Sequence, residues 1–316
     1  MGMSRENKKN NNSQETVLIT GGAGFIGSYV AGLLIDQGYR VVIVDDLSTG
    51  QTGNIPESAA FYSLCITEDL SSIFLKEKPH YVIHMAAQVS VSKSLEDPEE
   101  DAKINLMGGL NLLQEASNNG VEKFVYASTA AVYGDPSELP LKEEHEKKPL
   151  SPYGINKLAF EQYLESYRVN LGMDYTVLRY ANVYGPRQVP GADGGVVAVF
   201  MDRIKKGLPL IIHGDGSQTR DFVYVEDAAR ANLLALERGS GQVFNVGYGE
   251  ETSISELVDS LARILGRELP YEYTNRRPGD IYRSVFNSEK ARTNLGFQAQ
   301  HSLESGLIKT VKEEDV

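Results

Sequence analysis

Apolar and polar positions follow two rhythms along this chain. Val17 to Thr20 is a short β-rich run; glycines follow it, and an apolar-periodic stretch then reaches Gln37. β-type runs return at Val41–Val44 and Tyr81–Met85, so the chain opens as strand, helix, strand. Leu106, Leu110 and Leu113, spaced i, i+4 and i+7, predict a helix ahead of another strand at Lys123–Ser128. A long helix from about Pro152 to Leu171 and a strand at Thr176–Arg179 come next. Strands alternating with helices imply a doubly wound α/β fold, a parallel sheet covered on both faces. After Asn182 the pattern changes: Gly, Pro and charged residues interrupt shorter elements, with helices expected near 196–206, 226–237 and 253–265. Ser253 and Glu256, ahead of Ile254, Leu257, Val258, Leu261 and Ile264, read as a capping box on an amphipathic helix of purely structural use.

Composition narrows the class. Hydrophobic residues make up 41% of 316 residues, enough for a large core in one or two closely joined domains. A formal charge of −12 argues against non-specific binding to nucleic acid or an anionic membrane, which draws on clustered Lys and Arg. Cys65 is the single cysteine, and His80, His84, His145, His213 and His301 fall in no ligand-like spacing, so neither a disulfide framework nor a metal site is expected. A reducing cytoplasm fits that usage. Residues 1–15, MGMSRENKKNNNSQE, lack the apolar core of a signal peptide and are expected to form a disordered tail. No apolar run approaches the roughly twenty residues of a membrane span, and the polar segment Asp135–Lys148 is expected to be a surface loop over the sheet's edge.

The segment VLITGGAGFIGSYVAGLL sets Gly21, Gly24 and Gly27 between a strand and a helix. Glycines there permit a tight turn and bring backbone N–H groups to a pyrophosphate at the helix N-terminus. The spacing is GxxGxxG rather than GxGxxG, and by itself it leaves a plain βα turn as the lesser alternative. The next strand, however, ends in Asp45-Asp46, 24 positions beyond Gly21. A carboxylate there accepts from ribose hydroxyls and repels a 2′-phosphate. Leu47, Ser48, Thr49 and Gly50 follow, with no arginine. NAD is therefore expected rather than NADP, bound to a Rossmann-type domain over 16–182. A smaller α+β substrate lobe is expected over 183–316, with chain exchange between the two.

TGGAGFIGS, the strand-end Asp45, HMAAQ at His84–Gln88 and a Tyr-x-x-x-Lys pair together resemble the extended short-chain dehydrogenase/reductase family, from Val17 to nearly the C-terminus. The resemblance implies cofactor contacts from Gly21, Gly24, Phe25, Ile26 and Gly27, from Asp45 and Leu47 to Gly50, and from Tyr180. It implies that the backbone of Ile66 holds the adenine edge, and that Met85, Ala86, Ala87 and Gln88 line the pyrophosphate and ribose. Cys65 departs from the pattern: relatives carry an aspartate there, and a thiol is a poorer acceptor for the adenine amine.

Tyr153 and Lys157 stand four apart in SPYGINKLAFEQYL and share a helix face. An ammonium beside a phenol favours phenolate, and the nicotinamide cation pushes the same way, so Tyr153 can act as a base. Taken alone such a pair is common surface decoration. VYASTAAVYG adds Ser128 and Thr129 at a strand's C-terminal end, where open α/β sheets handle ligands. The resemblance assigns Thr129 as the hydroxyl bridging tyrosine and substrate, with Ser128 near the nicotinamide, and it brings the cofactor into contact with Tyr153 and Lys157. Next come Ala130 and Ala131, where the family's 4,6-dehydratases carry Asp-Glu and its decarboxylases a glutamate. Eliminating water requires an acid and a base beyond the tyrosine. What remains is oxidation and reduction at one carbon: Tyr153 takes the hydroxyl proton, NAD takes the hydride, the 4-keto sugar turns over and the hydride returns to its other face.

By the same resemblance, Asn182 and Arg220 match diphosphate contacts, Gln218 lies near the sugar, and Val196 lines the substrate site. His213 occupies a place where relatives put an aromatic ring against the base. Arg277 and Asp280 of RRPGD match the family's ribose and diphosphate pattern for UDP, and Ser284 matches a gate beside the sugar's second carbon. The expected protein is thus an NAD-dependent epimerase inverting carbon four of a UDP-sugar, glucose/galactose or the N-acetylated pair. The family implies a homodimer formed by the helices carrying Leu106–Leu113 and Phe160–Tyr167. Two alternatives stand beside it: a family epimerase acting on a uronic acid or a non-UDP sugar, and a non-catalytic NAD-binding regulatory protein.

Overall fold

The computed structural model describes residues 14–191, 195–276 and 281–316. Residues 1–13 of the expected tail, and Arg277 and Asp280, lie outside the described residues. Seven strands pair in parallel into one sheet: β1 (Thr16–Thr20), β2 (Arg40–Asp45), β3 (Ala60–Ser63), β4 (Tyr81–His84), β5 (Lys123–Thr129), β6 (Asp174–Tyr180) and β11 (Gln242–Val246). Their order is β11-β6-β5-β4-β1-β2-β3. β1 is buried along its whole length, which is why it reads as a continuous apolar run between threonines. Val17 and Ile19 face α1 (Phe25–Asp36) and α8 (Val225–Glu237). Leu18 faces the opposite layer of α2 (Ser71–Glu77), α5 (Gly109–Asn118) and α6 (Pro152–Leu171). The register sets Thr20 opposite both Val44 and His84. Strand order reverses between β1 and β4, and a ligand crevice opens outside the carboxyl ends at such a reversal.

The remaining strands form three small pairs: β7 (Asn182–Tyr184) with β10 (Phe222–Tyr224), β8 (Leu210–His213) with β13 (Tyr271–Thr274), and β9 (Thr219–Arg220) with β12 (Thr252–Ser253). They surround a second core with α7 (Val196–Lys205), α9 (Ile254–Leu265) and α10 (Leu303–Glu313), built on Phe200, Met201, Leu257 and Leu261. After β10 the chain returns to the large sheet: α8 packs on α1, and β11 pairs with β6. The capping box is present at α9, where Ser253 Oγ accepts from Glu256 N at 3.1 Å and Glu256 Oε2 accepts from Ser253 N at 2.7 Å. Removing such a cap costs about 1 kcal/mol.

Two local expectations change. The helix of Leu106, Leu110 and Leu113 begins as a π-helical turn, Lys103–Gly108, before α5 takes over. The wider turn breaks the 3.6-residue rhythm, and Leu113 is buried while Leu106 and Leu110 are only partly covered. The segment Asp135–Lys148 is not a free surface loop. Leu141 is buried with Tyr133 and Phe286, its N–H donates to Val285 O at 2.8 Å, and Glu143 accepts from Asn245 N at 2.8 Å. A hydrophobic contact holds the segment to Phe286 and an occupied carboxylate clasps it to β11, which a reading of its polar composition misses. No helix among the described residues is long and apolar enough to cross a membrane.

Candidate active site

The turn after β1 is shaped for a phosphate. Gly21 adopts φ 71°, a left-handed conformation costly for side chains, and a Cβ there would stand 2.6 Å from Ala86 N. A Cβ on Gly27 would stand 2.1 Å from Gly21 O. No side chain caps the first turn of α1 at Gly24, so the N–H groups of Phe25, Ile26 and Gly27 stand at the positive end of the helix dipole, before Ser28 N makes the first helical bond to Gly24 O. Asp45, at the end of β2, accepts from Ala23 N and Leu47 N, each at 2.9 Å. Those bonds use one acceptor position on each oxygen and leave capacity for ribose hydroxyls. Gly50 closes on the same carboxylate, at a place where a Cβ would lie 2.7 Å from Asp45 Oδ1. Together the glycine turn, the uncapped helix and the strand-end carboxylate fit a dinucleotide.

Further along the crevice the expected contacts divide. Met85 N and Ala86 N donate to Thr20 Oγ1 at 3.2 and 3.3 Å, fixing the chain beyond β4. Thr20 Oγ1 and His84 Nδ1 share a hydrogen bond at 2.8 Å. Burial, then the charge of Lys157, pushes His84 down to about 3, so it is a neutral core histidine. Ile66 is buried and its carbonyl accepts from Asn111 at 2.9 Å. Cys65 Sγ accepts from Thr67 Oγ1 at 3.2 Å, and its thiol lies within hydrogen-bonding reach of Asp46. The Gln88 side chain turns to Asp101 and Ser90 O, both at 2.8 Å, and its backbone N–H and carbonyl are engaged by the Asn105 amide at 3.0 and 2.8 Å. Tyr180 is buried under α8, with its hydroxyl accepting from Asn232 at 2.6 Å.

Tyr153 and Lys157 sit in the first turns of α6. Ser151 caps that helix by accepting from Gly154 N at 3.2 Å, with Pro152 at its first position. The Tyr153 phenol lies within hydrogen-bonding reach of the Thr129 hydroxyl. Thr129 in turn accepts from Ala131 N at 3.2 Å, capping the short 3-10 turn Ala130–Tyr133. Lys157 Nζ donates to Ala127 O at 3.0 Å and lies 4.9 Å from the Tyr126 ring centroid and 5.9 Å from that of Tyr153. Burial pushes the Tyr153 phenol up to about 12, and the Thr129 bond opposes it. Burial pushes Lys157 down to about 8, while Asp101 and Glu161 hold its proton on. A lysine with this value stays cationic at neutral pH.

Ser128 is engaged elsewhere: its hydroxyl donates to Glu161 Oε1 at 2.5 Å. Glu161 is also gripped by Arg179, through Nε at 3.0 Å and Nη2 at 2.5 Å, and Arg179 Nη1 donates to Tyr133 at 2.8 Å. This buried network, absent from the sequence reading, joins α6 to β5 and β6. Breaking such a buried pair from one side typically costs 3–5 kcal/mol, so Ser128 rests on a rigid support.

On the substrate side, the Gln218 side chain donates to His213 O at 2.6 Å, and the His213 ring meets Thr274 Oγ1 at 2.8 Å. The β7–β10 register sets Asn182 opposite Phe222, two residues from Arg220, whose Nη1 donates to Thr219 O at 2.8 Å. Asp221 accepts from Tyr248 N at 2.8 Å and from Gly249 N and Phe286 N at 3.1 Å. That carboxylate ties β9 and β10 to the stretch carrying Ser284, which is 6% exposed. Val196 opens α7 and is partly buried.

A family model for the NAD dependent epimerase/dehydratase family matches residues 17–247 of the chain. The chain belongs to that family. Within it, the chain is 45% identical to the UDP-glucose 4-epimerase of Thermotoga maritima, solved with UDP-glucose, at a TM-score of 0.92 over 94% of this chain and 97% of that one. Against the UDP-glucose 4-epimerase of Thermus thermophilus in complex with NAD, identity is 39% and the TM-score 0.91, over 95% and 99% of the two chains. The UDP-N-acetylglucosamine 4-epimerase of Methanobrevibacter ruminantium, in complex with UDP-N-acetylmuramic acid, is 35% identical at a TM-score of 0.91, over 95% and 98%. The NAD-dependent character of the family agrees with the glycine turn and Asp45 described above.

Proposed function

We propose that this member of the epimerase/dehydratase family inverts carbon four of a UDP-sugar through a transient 4-keto sugar. The observation that carries the reading is the partly buried Tyr153, its phenol within reach of Thr129 and one helical turn from cationic Lys157, at the carboxyl rim of the sheet. Tyr153 removes the proton of the sugar's 4-hydroxyl, with Thr129 aligning it, and gives the proton back after the sugar has turned. Lys157 stabilises the phenolate. NAD bound at the glycine turn supplies the reversible two-electron acceptor, and no net oxidation results. Ala130 and Ala131 offer no carboxylate for elimination. Asn182, Arg220, Gln218 and His213, with Arg277 and Asp280, hold the UDP-sugar on a lobe made from 183–316 less the returning α8 and β11.

Incubation of the purified protein with UDP-glucose tests this: UDP-galactose is the expected product, and mass spectrometry should find no 4-keto-6-deoxy sugar. Absence of epimerisation across UDP-, dTDP-, CDP- and GDP-sugars would overturn the reading.

The small side chain of Ser284 favours a broader substrate range. A small hydroxyl beside the sugar's second carbon leaves room for an acetamido group and can bond to it. UDP-N-acetylglucosamine is then accepted beside UDP-glucose. Ser284→Tyr is expected to lower kcat/KM for the acetamido sugar by at least ~tenfold while sparing UDP-glucose. An unchanged ratio of the two constants removes Ser284 from specificity.

The working form proposed is a cytoplasmic homodimer through α5, its preceding π-turn and α6. Leu113 and Phe160 lie inside the protomer's own core, so the pairing face is that of Met107 and Tyr163, 59% and 43% exposed.

A further inference from the structure

Asp101, in the short helix α4 (Pro98–Ala102), is 1% exposed. A carboxylate removed from water needs strong partners. Those of Asp101 are three amides: Gln88 Nε2 and Asn105 Nδ2 donate to Oδ1, each at 2.8 Å, and Asn156 Nδ2 donates to Oδ2 at 2.7 Å. The amides come from the chain beyond β4, from the π-helical turn, and from α6 between Tyr153 and Lys157. Asn105 is held in orientation from both ends, since its Nδ2 also donates to Gln88 O at 2.8 Å and its Oδ1 accepts from Gln88 N at 3.0 Å. The carboxylate thus cannot swing toward solvent without undoing contacts on three elements.

Several groups face Lys157. Asp101 does so from α4, Glu161 from its own helix, neutral His84 from β4, the Tyr126 ring from β5, and Tyr153 one turn away. Glu161 already has Arg179 as its counter-ion at 2.5 Å. Among the described residues the hydrogen-bond partners of Asp101 are all neutral amides, so its charge is not compensated by a contact ion. Both Lys157 and Tyr153 feel that charge, which favours the ammonium and disfavours a lone phenolate.

We propose that Asp101 is a positioning residue for the catalytic pair: clasped by Gln88, Asn105 and Asn156, it acts through Lys157 as the uncompensated buried anion that retains the ammonium beside Tyr153. Its effect on turnover rests on the epimerase reading; its effect on Lys157 does not. The residue also explains the π-helical turn, which sets Asn105 inward to complete the clasp.

Asp101→Asn is nearly isosteric: its Oδ1 can keep the bonds from Gln88 and Asn105, and the Asn156 side-chain amide, which has no other hydrogen bond among the described residues, can turn its oxygen to the new amide. In the NAD-loaded protein with 13C-labelled lysine, the Lys157 resonance is identified by its loss in Lys157→Gln. In Asp101→Asn that lysine should lose its proton about one pH unit lower than in the parent. The alkaline limb of the kcat profile should move down with it, while KM for the UDP-sugar stays within about twofold. Asp101→Glu, which keeps the charge, should restore most of the limb. An unmoved Lys157 titration overturns the proposal, as does a uniform fall in kcat with no displacement of the limb. If the parent epimerises nothing, the epimerase reading fails while the lysine titration still decides the role of Asp101. Where Asp101→Asn does not fold, Asn156→Ala releases one carboxylate oxygen and should move the titration the same way by less; no movement there is equally decisive against the proposal.

Discussion

Tyr153→Phe is expected to preserve folding and NAD binding and to lower turnover by at least ~100-fold, the lower end of what a positioned acid–base group contributes. The substitution removes one oxygen and keeps the ring, so the packing near Lys157, 5.9 Å from the ring centroid, survives. What disappears is the hydroxyl beside Thr129, the group proposed to take and return the sugar's proton. The pH dependence has a definite sign. Burial brings Lys157 down to about 8, so its charge is present below that value and lost as pH rises through it. Phenolate stabilisation by the lysine should fade over the same range, giving the parent an alkaline limb near pH 8. Turnover in Tyr153→Phe close to that of the parent would take the residue out of the mechanism.

Gly27→Ala should weaken cofactor retention. The added methyl would stand 2.1 Å from Gly21 O and 2.9 Å from Gly22 Cα, backbone atoms that cannot rotate away. The turn must open, at a cost of about 1–3 kcal/mol for forced overpacking, and the N–H groups aimed at the pyrophosphate lose alignment. NAD affinity is expected to fall by at least ~tenfold, since each 1.4 kcal/mol of lost binding is one decade. The same helix supplies the control. Gly32, also in α1, has nothing within 4 Å of its would-be Cβ, and Gly32→Ala should keep NAD and gain about 0.5–1 kcal/mol from helix propensity. Cofactor released on denaturation and thermal unfolding of the two variants separate the effects; equal NAD content in both would refute the steric account.

Local signals were legible wherever one element carries all the information. The bounds of α6 follow from Ser151 as its cap, Pro152 at its first position and Gly172 in the left-handed conformation at its end, all within one stretch of chain. The capping box at Ser253 and the turn of Gly21 and Gly27 are of the same kind. Side-chain direction was less legible. Gln88 falls in a motif that faces the cofactor, yet its amide is drawn to Asp101. Ser128 ends a strand at the rim, yet its hydroxyl is drawn to Glu161. In both, a buried carboxylate outcompetes the crevice, because leaving it unsatisfied costs more than redirecting a neutral group.

The sequence by itself determined the alternating strand and helix order, the glycine turn, the strand-end Asp45 and the four-residue step from Tyr153 to Lys157, since each depends on backbone periodicity and neighbours in the chain. Tertiary structure alone decided the rest. Asn156 and Asp101 are 55 positions apart, and Asn245 and Glu143 102 apart, with no periodic signal linking either pair. The return of β11 beside β6 brings Asn245 to Glu143, and the packing of α4 on α6 brings Asn156 to Asp101. Burial then sets the character of the catalytic pair, because removing a phenol and an ammonium from water moves them in opposite directions, to about 12 and about 8, by an amount that depends on the groups folded around them.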